Sequence, residues 1–206
     1  MRQVWLTVII LLVFFTGYWL FLRKPATQEV PQSISSDKAI KVGAHSAAFN
    51  NSIDSLMSAY FTLTSDFVEA DSVKAKTSAA RLAKLTDSVK IDEFKTDTTG
   101  LYATALAQVG NVKANALSIG TENNITSMRK DFQGVTENLY PLLKMIHYEG
   151  KILYLQNCPM AFGENNDANW ISNTAEIVNP YLGKKNPEFK GTMVHCGETK
   201  DSIVAK

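Results

Sequence analysis

Between residues 44 and 149 apolar side chains recur every three or four positions, the period of an α-helix with one buried face. From Ala44 to Glu69 the stripe is Phe49, Ile53, Leu56, Tyr60, Leu63 and Phe67. A second helix starts near Asp71, a residue type suited to an N-cap, although Lys74 stands where a capping box has Glu. Its stripe of Ala75, Ala79, Leu82 and Val89 is small enough for close helix packing. A third helix covers about Thr98 to Ala116, with Leu101, Tyr102, Ala105, Val109 and Val112 on one face. The fourth is the most regular, with Ile125, Met128, Phe132, Val135, Leu139, Leu142 and Ile146 in strict alternation of threes and fours. Pro141 falls inside it and predicts a kink or local break. Short connections, such as the one marked by Gly120 and Asn123-Asn124, make neighbouring helices antiparallel. The expected core includes Phe49, Leu56, Tyr60, Leu82, Leu106, Phe132, Leu139 and Leu142. His45 reads as an exposed polar residue, and His147 as a cation at the C-terminus of the fourth helix.

After Gly150 the pattern changes. Ile152 to Gln156 reads as one short strand, followed by the turn-formers Gly163 to Asp167, Asn179-Pro180 and Asn186-Pro187. Trp170, Tyr181 and Phe189 are available to pack this segment onto the helices. The expected fold class is therefore all-α: an antiparallel four-helix bundle with an irregular, partly β C-terminal segment that carries the Cys and Met residues. An irregular tail of about 50 residues needs more than helical hydrogen bonds to hold it, and a metal or a disulfide would serve.

Upstream of the bundle, Val4 to Leu22 is uncharged and strongly apolar. As a helix it spans roughly 28 Å, close to a bilayer's hydrocarbon thickness. Trp5 and Tyr18-Trp19 flank it as interfacial aromatics do, and no small-x-small cleavage site follows. Residues 1–24 thus read as a transmembrane anchor, a single uncleaved helix. Residues 25–43 read as a polar, proline-containing linker, and residues 44–206 as one domain whose tail is 151–206. Arg2 on one side of the apolar run balances Arg23 and Lys24 on the other too closely for charge alone to orient it. The whole chain has 21 basic and 20 acidic residues and no basic run, which argues against nucleic acid as a partner.

The chemistry gathers in the tail. The chain has two cysteines, in Cys158-Pro159-Met160 and in Met193-Val194-His195-Cys196-Gly197. Thiolate, thioether and imidazole are the donors that soft and borderline metals prefer, Cu(I) above all. The expected ligands are Cys158 and Cys196, with Met160, Met193 or His195 completing the shell of Cu(I) or Ag(I). A Cys158–Cys196 disulfide explains the same two cysteines, with the methionines as packing residues. Catalysis finds little support. The chain has no Cys-x-x-Cys, His-Glu-x-x-His, Gly-x-Ser-x-Gly or phosphate-cradling loop. The expectation is that this is not an enzyme.

The tail order Cys158-Pro159-Met160-Ala161, Trp170-x-Ser172, Asn179-Pro180-Tyr181-x-Gly183 and Met193-x-x-Cys196-Gly197-Glu198 resembles a small bacterial domain family of unassigned function. Ala59-Tyr60-Phe61 and Leu139 to Lys144 look like its helical part. That domain occurs alone behind a signal or anchor, and fused to the C-terminus of periplasmic adaptor subunits of copper/silver efflux pumps. The resemblance implies a periplasmic helical domain with a heavy-metal role. It also implies an inner-membrane, single-pass location and a metal-efflux adaptor or pump as partner. Pro159, Trp170, Asn179, Pro180, Tyr181, Gly183 and Gly197 would be its structural motif positions. Cys158-Pro159-Met160 and Cys196-Gly197 also resemble the Tyr-x-Cys-Pro-Met and Cys-Gly-Met pattern of short heavy-metal-binding domains of copper pumps and their adaptors, although Tyr154 lies four residues before Cys158 rather than two and Glu198 follows Gly197 in place of Met. This chain departs from the family in a longer segment from Lys184 to Thr192, and in Asn157 where relatives place a histidine before the first cysteine.

Overall fold

The structure is a computed structural model that describes residues 45–186 and 189–204. The expected anchor and linker lie outside the described residues. Among the described residues no helix is long and apolar enough to cross a membrane.

Four helices come first: α1 (Ala47–Val68), α2 (Ser72–Thr86), α3 (Leu101–Thr121) and α4 (Ile125–Met145), with a 3-10 turn at Ile91–Phe94 between α2 and α3. Their N-termini are set by side chains. Ser46, Asp71 and Asn124 accept hydrogen bonds from the amides of Phe49, Lys74 and Ser127, satisfying donors that a helix start leaves without partners. Three-residue connections turn α1 back into α2 and α3 into α4. The predicted stripes are the buried ones. Phe49, Ile53, Leu56, Tyr60, Leu63 and Phe67 of α1 face Phe132, Val135, Leu139 and Leu142 of α4 in one core. Phe132 packs on Tyr60 at 5.3 Å and on Phe67 at 5.0 Å between ring centroids.

Several expectations need correction. Leu106 is 49% exposed and not a core residue. It follows Ala105, which does face the core, so a 100° helical step turns Leu106 outward. α4 runs unbroken through Pro141. Pro141 and Glu137, whose carbonyl loses its partner, are both exposed, so solvent can supply the missing bond. His45 is buried, not exposed. Its ring bonds the Ile146 carbonyl through Nε2 at 2.6 Å and the Glu93 carboxylate through Nδ1 at 3.0 Å. His147 does sit at the C-terminus of α4, just past its C-cap Ile146. It takes the left-handed conformation (φ 52°) while Tyr148 N–H reaches the Leu143 carbonyl at 3.0 Å, a Schellman closure.

The tail is more regular than one strand. β1 (Leu153–Cys158) is the centre of an antiparallel three-stranded sheet, with β2 (Ala168–Ser172) and β3 (Glu198–Ile203) on either side. The fold is therefore mostly helical with a small C-terminal sheet, rather than all-α. The sheet seats through β2 on α4 and α1. Tyr60 reaches out of the bundle: its hydroxyl hydrogen-bonds Thr136 at 2.7 Å and accepts from Ile171 N–H at 3.0 Å.

Candidate functional site

Antiparallel pairing of β1 with β3 places Asn157 opposite Glu198. Cys158 closes β1, and Cys196 lies two residues before β3, so both cysteines fall at the same end of the sheet. Gly197 makes the approach possible. Its φ is +145°, and a Cβ there would stand 2.6 Å from the Asn157 carbonyl oxygen, so only glycine suits the position. The two thiols are free, and Cys196 is near enough to Cys158 to bear on its ionisation. Cys158 is fully buried and Cys196 half-buried.

Burial pushes the Cys158 thiol above the ordinary thiol range. Donors from the Asn179 side chain and the Met160 amide pull the other way and favour its thiolate, while the neighbouring Cys196 adds to the rise. Asn179 holds this corner together. It is fully buried, and its Nδ2 donates to the Cys196 carbonyl at 2.7 Å. Its Oδ1 accepts from the amides of Tyr181 and Leu182 at 2.8 and 2.9 Å. Its own amide donates to the Val194 carbonyl at 2.7 Å. One side chain thus fixes the Asn-Pro-Tyr turn and the approach to β3 together.

The other motif residues support the same corner. Tyr181 is buried and donates to the Asn169 carbonyl at 2.6 Å, and Trp170 packs against it. The Pro180 carbonyl accepts from Arg129 Nε of α4 at 2.8 Å. Gly183 lies so close to α1 that a Cβ would be 2.3 Å from the Val68 carbonyl oxygen. Pro159 is exposed in the turn after β1.

Met160 and Met193 are half-buried and packed against the core. Met193 also accepts the Cys196 amide on its carbonyl at 3.0 Å. His195 is exposed, and its Nδ1 bonds the Ile177 carbonyl at 2.8 Å. Among the described residues no three His, Cys, Asp or Glu side chains group as a metal site would group them. What the corner offers is a pair of thiols with thioethers and an imidazole close in sequence, a donor set suited to a soft ion of low coordination number.

Three structural residues have little sequence signal. Arg129 is buried and makes no ion pair among the described residues. It spends its charge on the Phe67 and Pro180 carbonyls, and burial pushes its guanidinium down to about 10. Gln156 donates to the Thr174 and Glu176 carbonyls at 3.1 Å each. Asn157 donates to Asp167 and Asn169 at 2.8 and 2.9 Å. A polar residue in α4 and two amides in a strand look like solvated positions until the turns they hold are seen.

Residues 56–150 match a family described as a protein of unknown function (DUF3347). The matched span covers most of the bundle and stops before Cys158. No curated protein and no solved structure matches the chain.

Proposed function

We propose that this chain is a heavy-metal binding module that carries Cu(I) or Ag(I) as cargo on Cys158 and Cys196, with a thioether from Met160 or Met193. The observation that supports it best is that two free thiols from distant parts of the chain are brought to the same end of the sheet. Two sulfur ligands satisfy a soft monovalent ion, and a thioether adds a neutral donor that resists oxidation better than a thiol. The apolar run at residues 4–22 supports a membrane-anchored module, and the resemblance of the tail supports a periplasmic domain that serves metal efflux or buffering beside an efflux adaptor or pump.

The same juxtaposition favours a second reading: a Cys158–Cys196 disulfide that staples a non-metal interaction domain of the envelope. Such a link would add on the order of 3–4 kcal/mol in the chain-entropy model, and the packing of both methionines on the core suits it. Free-thiol titration and Cu(I) competition on protein isolated from the membrane separate the two. Two titratable thiols and Cu(I) binding that is lost in Cys158→Ser and Cys196→Ser support the metal module. No titratable thiol and no Cu(I) binding leave the disulfide domain.

A further inference from the structure

Cys158 is fully buried, so nothing in solution reaches its sulfur unless part of the tail moves. The sheet register shows what lies on its side of the sheet. Gln156 and Cys158 are two residues apart on β1, so their side chains share one face, and so do those of their β2 partners Trp170 and Ala168. Residues 173–178, which lead from β2 to the Asn-Pro-Tyr turn, cross this face. Gln156 Nε2 donates to the Thr174 and Glu176 carbonyls at 3.1 Å each, with the Ala175 carbonyl at 3.4 Å. Beyond them Ile177 comes down beside Gly197. A Cβ on Gly197 would stand 3.3 Å from Ile177 Cγ2 and 3.0 Å from the Trp170 ring. The crossing therefore ends against the residue that follows Cys196.

This crossing is held by side chains. Among the described residues, 173–178 make no backbone–backbone hydrogen bond. Ser172 Oγ ties the start, donating to the Thr174 carbonyl at 2.8 Å and accepting from its amide at 3.1 Å. Gln156 ties the middle. His195 ties the end, since a carbonyl oxygen can only accept and Nδ1 therefore donates to Ile177 at 2.8 Å. Asn173 to Glu176 are exposed. The turn at Met193–Cys196 is firmer, with backbone bonds from Asn179 to Val194 and from Cys196 to Met193. Closure also leaves Gln156 Oε1 buried without a hydrogen-bond partner among the described residues. A buried acceptor with no donor is unfavourable, so water that reaches it on opening offsets part of the ties lost. Few backbone bonds and an exposed outer side are the marks of a segment that opens locally. We infer that residues 173–178 form a strap that opens to admit an ion to Cys158 while the rest of the domain stays folded. This rests on the reading of the tail as a metal module for the identity of what enters; access to the thiol stands on the strap alone.

The test separates local from global opening. Reduced full-length protein carrying Cys196→Ser has Cys158 as its only thiol. Its alkylation by iodoacetamide is followed by mass spectrometry, from zero urea to just below the unfolding transition. A short strap exposes little surface when it opens, so the rate should hardly depend on urea, whereas a rate set by global unfolding climbs with the full unfolding slope. Gln156→Leu removes the middle tie and should speed alkylation by roughly five- to tenfold, as expected for a few modest hydrogen bonds. His195→Ala removes the end tie at an exposed position and should speed it severalfold, so the outcome does not depend on one buried substitution. Phe132→Ala, which weakens the bundle core, should leave the rate in zero urea unchanged. An unchanged rate in both strap variants, a urea slope equal to that of unfolding, or acceleration by Phe132→Ala in step with its loss of stability would overturn the strap. No metal enters this measurement. A wild-type protein that binds no Cu(I) would therefore sink the metal module and leave the strap standing.

Discussion

The bundle and the sheet are held by different physics. In the bundle, apolar stripes meet and one face of each helix leaves water. Its core is Phe, Leu, Ile, Val, Tyr and Ala side chains, and each contributes in proportion to the area it buries. In the tail, few side chains are large and apolar, and order comes from buried amides that satisfy backbone groups of neighbouring turns. Gln156 and Asn179 each serve two or more such groups, and Asn157 ties the Asp167 and Asn169 side chains to β1. Burial tolerates substitution by volume, whereas amide networks fail when a single partner is removed. A site whose donors must stay within bonding distance benefits from the second kind of order, and the tail carries the cysteines.

The comparison can be broken most directly in the core. Phe132→Ala removes a ring packed on Tyr60 and Phe67 and should cost about 3–5 kcal/mol of global stability, measured by denaturant unfolding. A loss confined to the tail signal would show that the bundle does not set the global transition. Asn179→Ala leaves the Tyr181 and Leu182 amides and the Cys196 carbonyl without their partner, and should cost about 2–3 kcal/mol. That cost should appear first as a change in Trp170 fluorescence at denaturant concentrations where far-UV helicity is intact. Coincident transitions in this variant would mean that tail and bundle are one cooperative unit.

A smaller effect is expected where the chain enters the bundle. Burial works to raise the Glu93 carboxyl, but hydrogen bonds from Ser46 and His45 outweigh it and hold it below its ordinary value of 4.5. A depressed carboxyl contributes stability above the unfolded-state value and loses it as pH falls through the lower folded-state value. Glu93→Gln should therefore cost about 1 kcal/mol at neutral pH and make the decline in stability below pH 4.5 shallower. An unchanged acid limb would remove Glu93 from the account of acid unfolding. Smallest of all, Leu106→Ala should change stability by less than about 0.5 kcal/mol, the usual range for an exposed position. A larger loss would place Leu106 against something that covers it.

How much of this was legible follows from the same contrast. Periodic burial leaves a one-dimensional trace, so all four helices could be read, along with Tyr60, Phe132 and Leu139 as core. Leu106 was misplaced because it was judged by type, when its neighbours Ala105 and Val109 already defined the face. The sheet left little trace. β3 reads Glu-Thr-Lys-Asp-Ser-Ile, a polar edge strand without a buried face to impose alternation. The meeting of Cys158 and Cys196 could be expected from their number and type, but the means of bringing them together could not. Asn179 looks like a turn residue and His45 like a surface group, because a buried polar residue is identified by its partners and those lie far away in sequence.

The bond from Ile171 N–H to the Tyr60 hydroxyl has a meaning beyond seating the sheet. β2 lies at the edge of the sheet, and an edge strand offers outward amides to any extended chain that passes. Here one of those amides is already occupied by a phenol rooted in the bundle core, which a passing strand cannot displace without opening α1 from α4. Tyr60→Phe would leave the packing nearly unchanged and free that amide. The variant's weakness would then be a sheet that recruits further strands, visible as a greater tendency to aggregate before any loss of helix.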